Sequence, residues 1–256
     1  MLRQINNSQK KREANNFGKL LLVILLLNIN IMIAQDKNTN SNNLNAHQQS
    51  MAGIAAFSAV GNMQQLKTEL NTGLDSGLTI NEIKEALVQL YAYCGFPRSL
   101  NAINAFMEVL EKRKADGITD LQGREASPIK AVNDQYRVGK ETLQKLTGRE
   151  EKEPKTGANA FAPVIDVFLK EHLFAAIFSR DVLNYRQREF VTISILAAMS
   201  GVEPQLQAHI SMGLNTGITE NQIIELSTII EKKIGKEQAE IVKSLLKKVI
   251  QNNKNN

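Results

Sequence analysis

The sequence predicts an all-α protein made of two copies of one helical unit. Three observations carry that expectation. First, Gly61–Asn81 recurs as Gly201–Asn221 at a constant offset of 140 residues with no gap. Second, each copy carries the same helix-stop and helix-start residues. Third, no long alternation of apolar and polar residues of strand type is visible, while helical spacing recurs throughout.

The offset aligns Gly61 with Gly201, Leu66 with Leu206, Gly73 with Gly213 and Gly77 with Gly217. It continues through Thr79 and Thr219, Asn81 and Asn221, Ile83 and Ile223, and Glu85 and Glu225. Three glycines in step point to a duplication. Gly77 and Gly217 fall where a helix must end, because glycine enters the left-handed region without a Cβ clash. Two residues later, Thr79–Glu82 and Thr219–Gln222 have capping-box spacing, in which the hydroxyl caps the third amide and the longer side chain reaches back. Each copy therefore reads as helix, tight glycine turn, helix. Pro204 suits the first turn of a helix.

The flanking segments are helical too. Ile83, Leu87, Leu90 and Tyr91 share one face after Thr79. Beyond Gly95-Phe96-Pro97, residues Leu100, Ile103, Phe106, Met107 and Leu110 mark a further amphipathic helix. Ile193, Leu196, Ala197 and Ser200 repeat the spacing in copy two. Between the copies, 117–159 reads as a linker with part of it (132–146) helical. Phe161, Ile165, Phe168, Leu169 and Leu173 then open a helix starting near Pro163.

Composition narrows the function. One cysteine excludes a disulfide framework and a cysteine-based zinc cluster. Aromatics are 5% with no Trp, which argues against a deep aromatic cage. The net charge of +5 is concentrated at the N-terminus, where Arg3, Lys10, Lys11, Arg12 and Lys19 face only Glu13. The remainder is nearly neutral, which excludes a basic nucleic-acid-binding face. Those N-terminal cations precede the apolar run Leu20–Leu27, which continues to Ala34. The run is too short for a spanning helix, which needs about 20 apolar residues, and suits a signal peptide. The expected organisation is signal peptide 1–34, polar spacer 35–43, repeat one 44–116, linker 117–159, repeat two 160–251 and polar tail 252–256. The expected location is periplasmic or secreted, with membrane contact only through the signal segment.

Few residues could carry chemistry. His209 lies mid-helix, six residues after Glu203. It is either an acid/base group near neutral pH or a hydrogen-bonded helical histidine. Its copy-one counterpart is Glu69. Cys94 sits near a helix end at Gly95. It is either a thiol with a lowered pKa or a small buried packing residue. Its counterpart, Ile234, is inert. Arg188-Glu189 either binds a carboxylate or opens a solvated helix. No metal-binding, phosphate-loop or nucleophile-elbow motif is present, so no metal and no cofactor are expected.

Together these residues resemble the carboxymuconolactone decarboxylase family. Arg188-Glu189-Phe-Val-Thr-Ile, Glu203-Pro-Gln-Leu-Gln-Ala-His209 and Gly217-Ile-Thr-Glu-Asn-Gln carry the likeness in copy two. Gly77-Leu-Thr-Ile-Asn-Glu82 and Tyr91-Ala-Tyr-Cys94-Gly-Phe-Pro-Arg98 carry it in copy one. The resemblance spans about 44–113 and 160–235. It implies a duplicated carboxymuconolactone decarboxylase or alkylhydroperoxidase D-like helical domain that assembles into rings, here with a homotrimer expected.

Two activities follow from the resemblance. The decarboxylase branch implies cofactor-free acid/base chemistry on a small lactone or carboxylate. His209 would be the acid/base, Glu203 its partner, Arg188 the carboxylate clamp and Arg98 a second substrate-binding cation. The thiol branch implies a hydroperoxide reductase with peroxiredoxin activity using Cys94 and Glu82. Pro97 and Asn101 stand where that branch has its second cysteine and histidine, so an intramolecular disulfide cycle cannot close. A one-cysteine cycle would need an external thiol. A third alternative is a non-catalytic oligomeric binding protein on the same scaffold.

Overall fold

The computed structural model describes residues 42–128 and 134–254. The expected signal peptide and nearly all of the polar spacer lie outside the described residues. Among the described residues every regular element is helical: α1 (Ala46–Val60), α2 (Met63–Asp75), α3 (Ile80–Ala115), α4 (Gln135–Thr147), α5 (Gly157–Phe161), α6 (Pro163–Val167), a π-helix (Phe168–Ile177), α7 (Tyr185–Ala197), α8 (Glu203–Asn215), α9 (Glu220–Lys233) and α10 (Lys236–Lys254).

The duplication is visible helix by helix. α3 is two rods, because Gly95 at φ 75° and ψ 164° breaks it. Gly235, one repeat offset away, separates α9 from α10. Each repeat is therefore four helices: α1, α2 and the two rods of α3, then α7, α8, α9 and α10. The glycine turns at Gly77 and Gly217 have φ of 99° and 96°. Both capping boxes form, Thr79 with Glu82 and Thr219 with Gln222. Two further boxes, Asn45 with Gln48 and Asn184 with Gln187, start α1 and α7. Each satisfies amide groups that no helical carbonyl can reach.

Helices α1 and α7 form the centre. Ten consecutive residues of each, Ser50–Ala59 and Arg188–Ala197, are buried. They pack against each other, and each is covered by the third helix of the other repeat: α9 on α1, and α3 on α7. This exchange joins both repeats into one apolar core, from Leu66, Ile83 and Leu87 to Ile193, Ile210 and Leu226.

The connection between repeats is anchored at both ends. Residues 117–128 run back along the start of α3, where the Leu121 and Gln122 carbonyls accept from Ile80 and Asn81 N–H at 2.9 and 3.0 Å. Arg113 holds Asp120 through Nε and Nη2. α4 covers 135–147, close to the expected helical stretch, and packs against the π-helix. There the buried Lys170 ammonium donates to Asp166 at 2.6 Å, Glu151 at 2.5 Å and the Tyr136 hydroxyl at 3.1 Å. Burial alone would raise the Asp166 carboxyl; hydrogen bonds from Lys155, Lys170 and Tyr136 overcome it and hold the group near 2.

Three expectations need correction. Leu100 and Met107 are more than half exposed, because the second rod of α3 buries Ala102, Ala105, Phe106 and Val109 instead. Small residues let this face approach the core closely, which turns the larger ones outward. Phe161, Ile165 and Phe168 are likewise exposed while Leu173 is buried; α6 begins at Pro163 as expected and runs on into the π-helix, but Phe161 belongs to the separate short helix α5. Finally, α10 continues to Lys254, into the segment expected to be a polar tail. Its Asn252 and Asn253 line a groove with Thr147, Arg149 and Pro204.

One backbone approach admits no side chain. A Cβ on Gly139 would lie 1.9 Å from the Lys170 carbonyl oxygen. Gly139→Ala should force α4 off the π-helix and lower unfolding free energy by about 2–4 kcal/mol, a magnitude set by overpacking. Urea denaturation checks this, and an unchanged midpoint would contradict the packing.

Candidate functional site

The exchange of third helices places polar residues of α3 against polar residues of α7 and α8. From α3 come Glu85, Gln89 and Tyr93, at i, i+4 and i+8 on one helix face. From α7 come Arg188, Glu189 and Thr192, and from α8 comes His209. Gln89, Arg188, Glu189 and Thr192 have no exposure. A charge so placed must be paired and hydrogen-bonded to be tolerated.

Arg188 is held on three sides. Nη2 reaches Glu85 at 2.9 Å and the Arg180 carbonyl at 2.6 Å, Nη1 reaches Gln89 Oε1 at 2.9 Å, and Nε reaches the Arg180 carbonyl at 3.2 Å. Glu85 also takes a two-pronged contact from Arg180, at 2.6 Å to Nη2 and 3.0 Å to Nε. Burial would raise the Glu85 carboxyl, but hydrogen bonds and charge from Arg180 and Arg188 hold it below its ordinary value.

Arg188 also fixes the rest of the network. Because guanidinium only donates, Gln89 must present its oxygen to Arg188. Its amide nitrogen then donates to the Arg188 carbonyl at 2.9 Å and to Thr192 Oγ1 at 2.8 Å. Thr192 Oγ1 donates onward to the Tyr93 hydroxyl oxygen at 3.2 Å. Burial, with the Glu189 charge adding to it, pushes the Tyr93 phenol far above its ordinary value, so it stays protonated.

His209 is buried beside this chain. Its Nδ1 lies 2.7 Å from Glu189 Oε2, and its ring meets the Tyr93 ring edge-on with centroids 5.5 Å apart. A carboxylate partner at Nδ1 calls for a proton there, which leaves Nε2 as the basic nitrogen. Glu189 Oε1 is buried with no hydrogen-bond partner. Tyr93 and Cys94 are half-buried, so the site meets the surface at the end of the first rod of α3.

The residues singled out from sequence fall in different places. His209 is in this site, but Glu203 is not its partner. Six residues along a helix turn through about 600°, which points Glu203 away, and its Oε1 instead accepts from Gly201 N–H at 3.2 Å. Arg188 is in the site but fully engaged, so it does not stand free as a carboxylate clamp. Arg98 is exposed and lies over Gly61, where an added Cβ would meet its guanidinium. Glu82 is committed to the capping box, accepting from both Thr79 N–H and Oγ1. It is separated from Cys94 by about 18 Å of helix at 1.5 Å per residue. Cys94 Sγ rests 3.4 Å from Met199 Sδ, and burial pushes its thiol up to about 11 despite the nearby Arg98 charge.

Sequence reasoning missed Glu85, Gln89, Tyr93 and Thr192, and missed Glu189 as the histidine's partner. One signal was available: a polar stripe every fourth residue on a helix that is otherwise apolar. Among the described residues no cluster of three His, Cys, Asp or Glu side chains could hold a metal ion.

The repeat offset generates a second, equivalent location between α9 and α1–α2. Lys233 stands where Tyr93 does, Glu69 where His209 does, and Ile229 where Gln89 does. Lys233 Nζ pairs with Glu69 and lies 5.4 Å above the Phe57 ring centroid. Gly53 leaves room for the Glu69 carboxylate, which an added Cβ would approach to 2.6 Å. This twin location is closed by its own ion pair.

The carboxymuconolactone decarboxylase family model matches residues 32–108 and 167–239, more than half of the chain. The chain belongs to that family, in a tandem two-repeat form. No curated protein matches it.

Two outcomes test the geometry. Arg188→Met leaves Glu85 and Gln89 facing an apolar side chain, and should cost about 3 kcal/mol, as breaking a buried pair does. Equilibrium unfolding measures it, and a loss under 1 kcal/mol would contradict the central role of the pair. Thiolate is the reactive form of cysteine, so a thiol raised to about 11 stays protonated at neutral pH. Alkylation of Cys94 by iodoacetamide should be slow at pH 7 and rise steadily toward pH 11; fast alkylation at neutral pH would contradict this environment.

Proposed function

We propose that this family member is a cofactor-free acid/base enzyme acting on a small lactone or related carbonyl compound, with one working site per chain. The observation that carries this reading is the Glu189–His209 pair at 2.7 Å, whose Nε2 has no partner among the described residues. A buried carboxylate orients the ring and stabilises the imidazolium that proton uptake creates. The resemblance supplied a carboxylate as the group to be held, but both cations of this network, Arg188 and Arg180, are spent on Glu85, Gln89 and a backbone carbonyl. The geometry therefore favours the lactone or carbonyl oxygen over a free carboxylate.

The thiol-peroxidase alternative draws less support. Cys94 lies at the C-terminal end of its helical rod, against a methionine, with Glu82 occupied elsewhere. The reading also includes export through the N-terminal apolar run and assembly of the chain with copies of itself. Assembly is supported by the exposed Phe96, Leu100 and Met107 on one rod and by Phe161, Val164 and Phe168. Static light scattering of the chain without residues 1–34 should give about three times the monomer mass; a monomer at all concentrations would overturn the assembly.

The catalytic test uses a panel of lactones and small carboxylic acids. His209→Ala should reduce turnover of any active compound by about 100-fold or more, the contribution of a general acid/base. Glu189→Gln should reduce it by about 10-fold or more while the fold is kept. Unchanged turnover in His209→Ala would overturn the reading.

A further inference from the structure

The hydrogen-bond chain that begins at Arg188 has a direction, and its end is open. Arg188 Nη1 donates to Gln89, Gln89 Nε2 donates to Thr192, and Thr192 donates to the Tyr93 oxygen. The Tyr93 hydroxyl proton comes last, and it has no acceptor among the described residues. The same site holds Glu189 Oε1, buried with no hydrogen-bond partner, and His209, whose ring meets that of Tyr93 and bonds Glu189 through Nδ1, leaving Nε2 as an acceptor. A buried carboxylate oxygen left without a donor, as Glu189 Oε1 is, is rare in a merely structural cluster, where it costs about 1–3 kcal/mol.

An occupant that completes the site presents one acceptor oxygen to Tyr93 and one acidic hydrogen to His209 and Glu189. We propose that Tyr93 is a catalytic residue that donates its hydroxyl hydrogen to the carbonyl oxygen of a neutral, enolisable compound. This rests on the acid/base reading above and narrows its substrate class. Neutrality fits the commitment of Arg188 and Arg180 to Glu85.

The step balances without an oxidant or reductant. The hydrogen on the carbon next to the carbonyl leaves as a proton to His209 Nε2. The electron pair of that C–H bond forms a carbon–carbon double bond, and the carbonyl π pair moves onto the oxygen. The Tyr93 O–H stabilises that enolate oxygen by a hydrogen bond. Glu189 Oε2 holds the imidazolium through Nδ1. The proton then returns from Nε2 to either end of the enolate system, which exchanges the hydrogen or shifts a double bond. A pre-aimed donor at a developing oxyanion is worth about 100- to 1,000-fold in rate.

The experiment follows conversion of α-angelica lactone, a neutral five-membered lactone, to its conjugated isomer by ultraviolet absorbance. It compares the wild-type chain, Tyr93→Phe, Thr192→Val, Glu189→Gln and His209→Ala. Tyr93→Phe should lower kcat about 100-fold with KM within about threefold. Thr192→Val should lower kcat by a smaller factor, because it only loosens the phenol. Proton exchange of the lactone in heavy water, read by NMR, should fall in parallel. A kcat for Tyr93→Phe within twofold of wild type, with Glu189→Gln and His209→Ala impaired, overturns the role of Tyr93 and leaves the acid/base reading standing. Wild type and His209→Ala both at the buffer rate overturn that reading together with this one.

Discussion

A buried guanidinium sets the terms for this molecule. Arg188 is wholly inside, on a helix whose every face is covered, and burying its charge is tolerable only where several acceptors meet it. Those acceptors come from elsewhere in the chain: Glu85 and Gln89 from the first repeat, and the Arg180 carbonyl from the segment before α7. Satisfying Arg188 thus pins α3 of one repeat onto α7 of the other. The same pinning dictates which way Gln89 faces, and hence how it meets Thr192, which in turn bonds Tyr93. Fold and site share one electrostatic requirement.

The duplication creates two matching places that carry different groups. Both repeats use their third helix to cover the other's central helix, so two equivalent locations arise. At one, Glu189, His209 and Tyr93 meet with hydrogen-bonding capacity left over. At the other, Lys233 closes onto Glu69 and the Phe57 ring, an ion pair with an aromatic floor. The glycines and caps that shape the helices are kept in both copies, while the polar residues between them have parted. The same divergence leaves Cys94 opposite Ile234, which suits a thiol whose neighbours are a methionine and the core.

Much of the architecture was legible in the sequence. Gly77 and Gly217 take up positive φ, and Thr79 and Thr219 cap as their spacing requires, because these are local effects that a few residues determine. The rod that follows Pro97 was legible as a helix but not in its orientation: Ala102 and Ala105 face inward because small side chains allow closer packing, which apolarity alone does not reveal. The exchange of third helices was not legible, since the apolar face of α3 would satisfy either repeat. The site failed for the same reason. Glu203 and His209 are close in sequence yet point apart on α8. Glu189 lies twenty positions upstream and reaches His209 only after α7 packs on α8. His209 itself was recognisable, as a histidine at a matching position in a family frame. Its true companions are tertiary neighbours.

The proposed chemistry turns on how His209 is held. Long-range proton–nitrogen correlation NMR of the histidine rings at neutral pH reads this directly. For the neutral ring, the structure predicts the proton on Nδ1, shared with Glu189. In Glu189→Gln that preference should weaken or disappear. A neutral His209 ring with its proton on Nε2, unaffected by Glu189→Gln, would contradict the pairing on which the proposed chemistry depends.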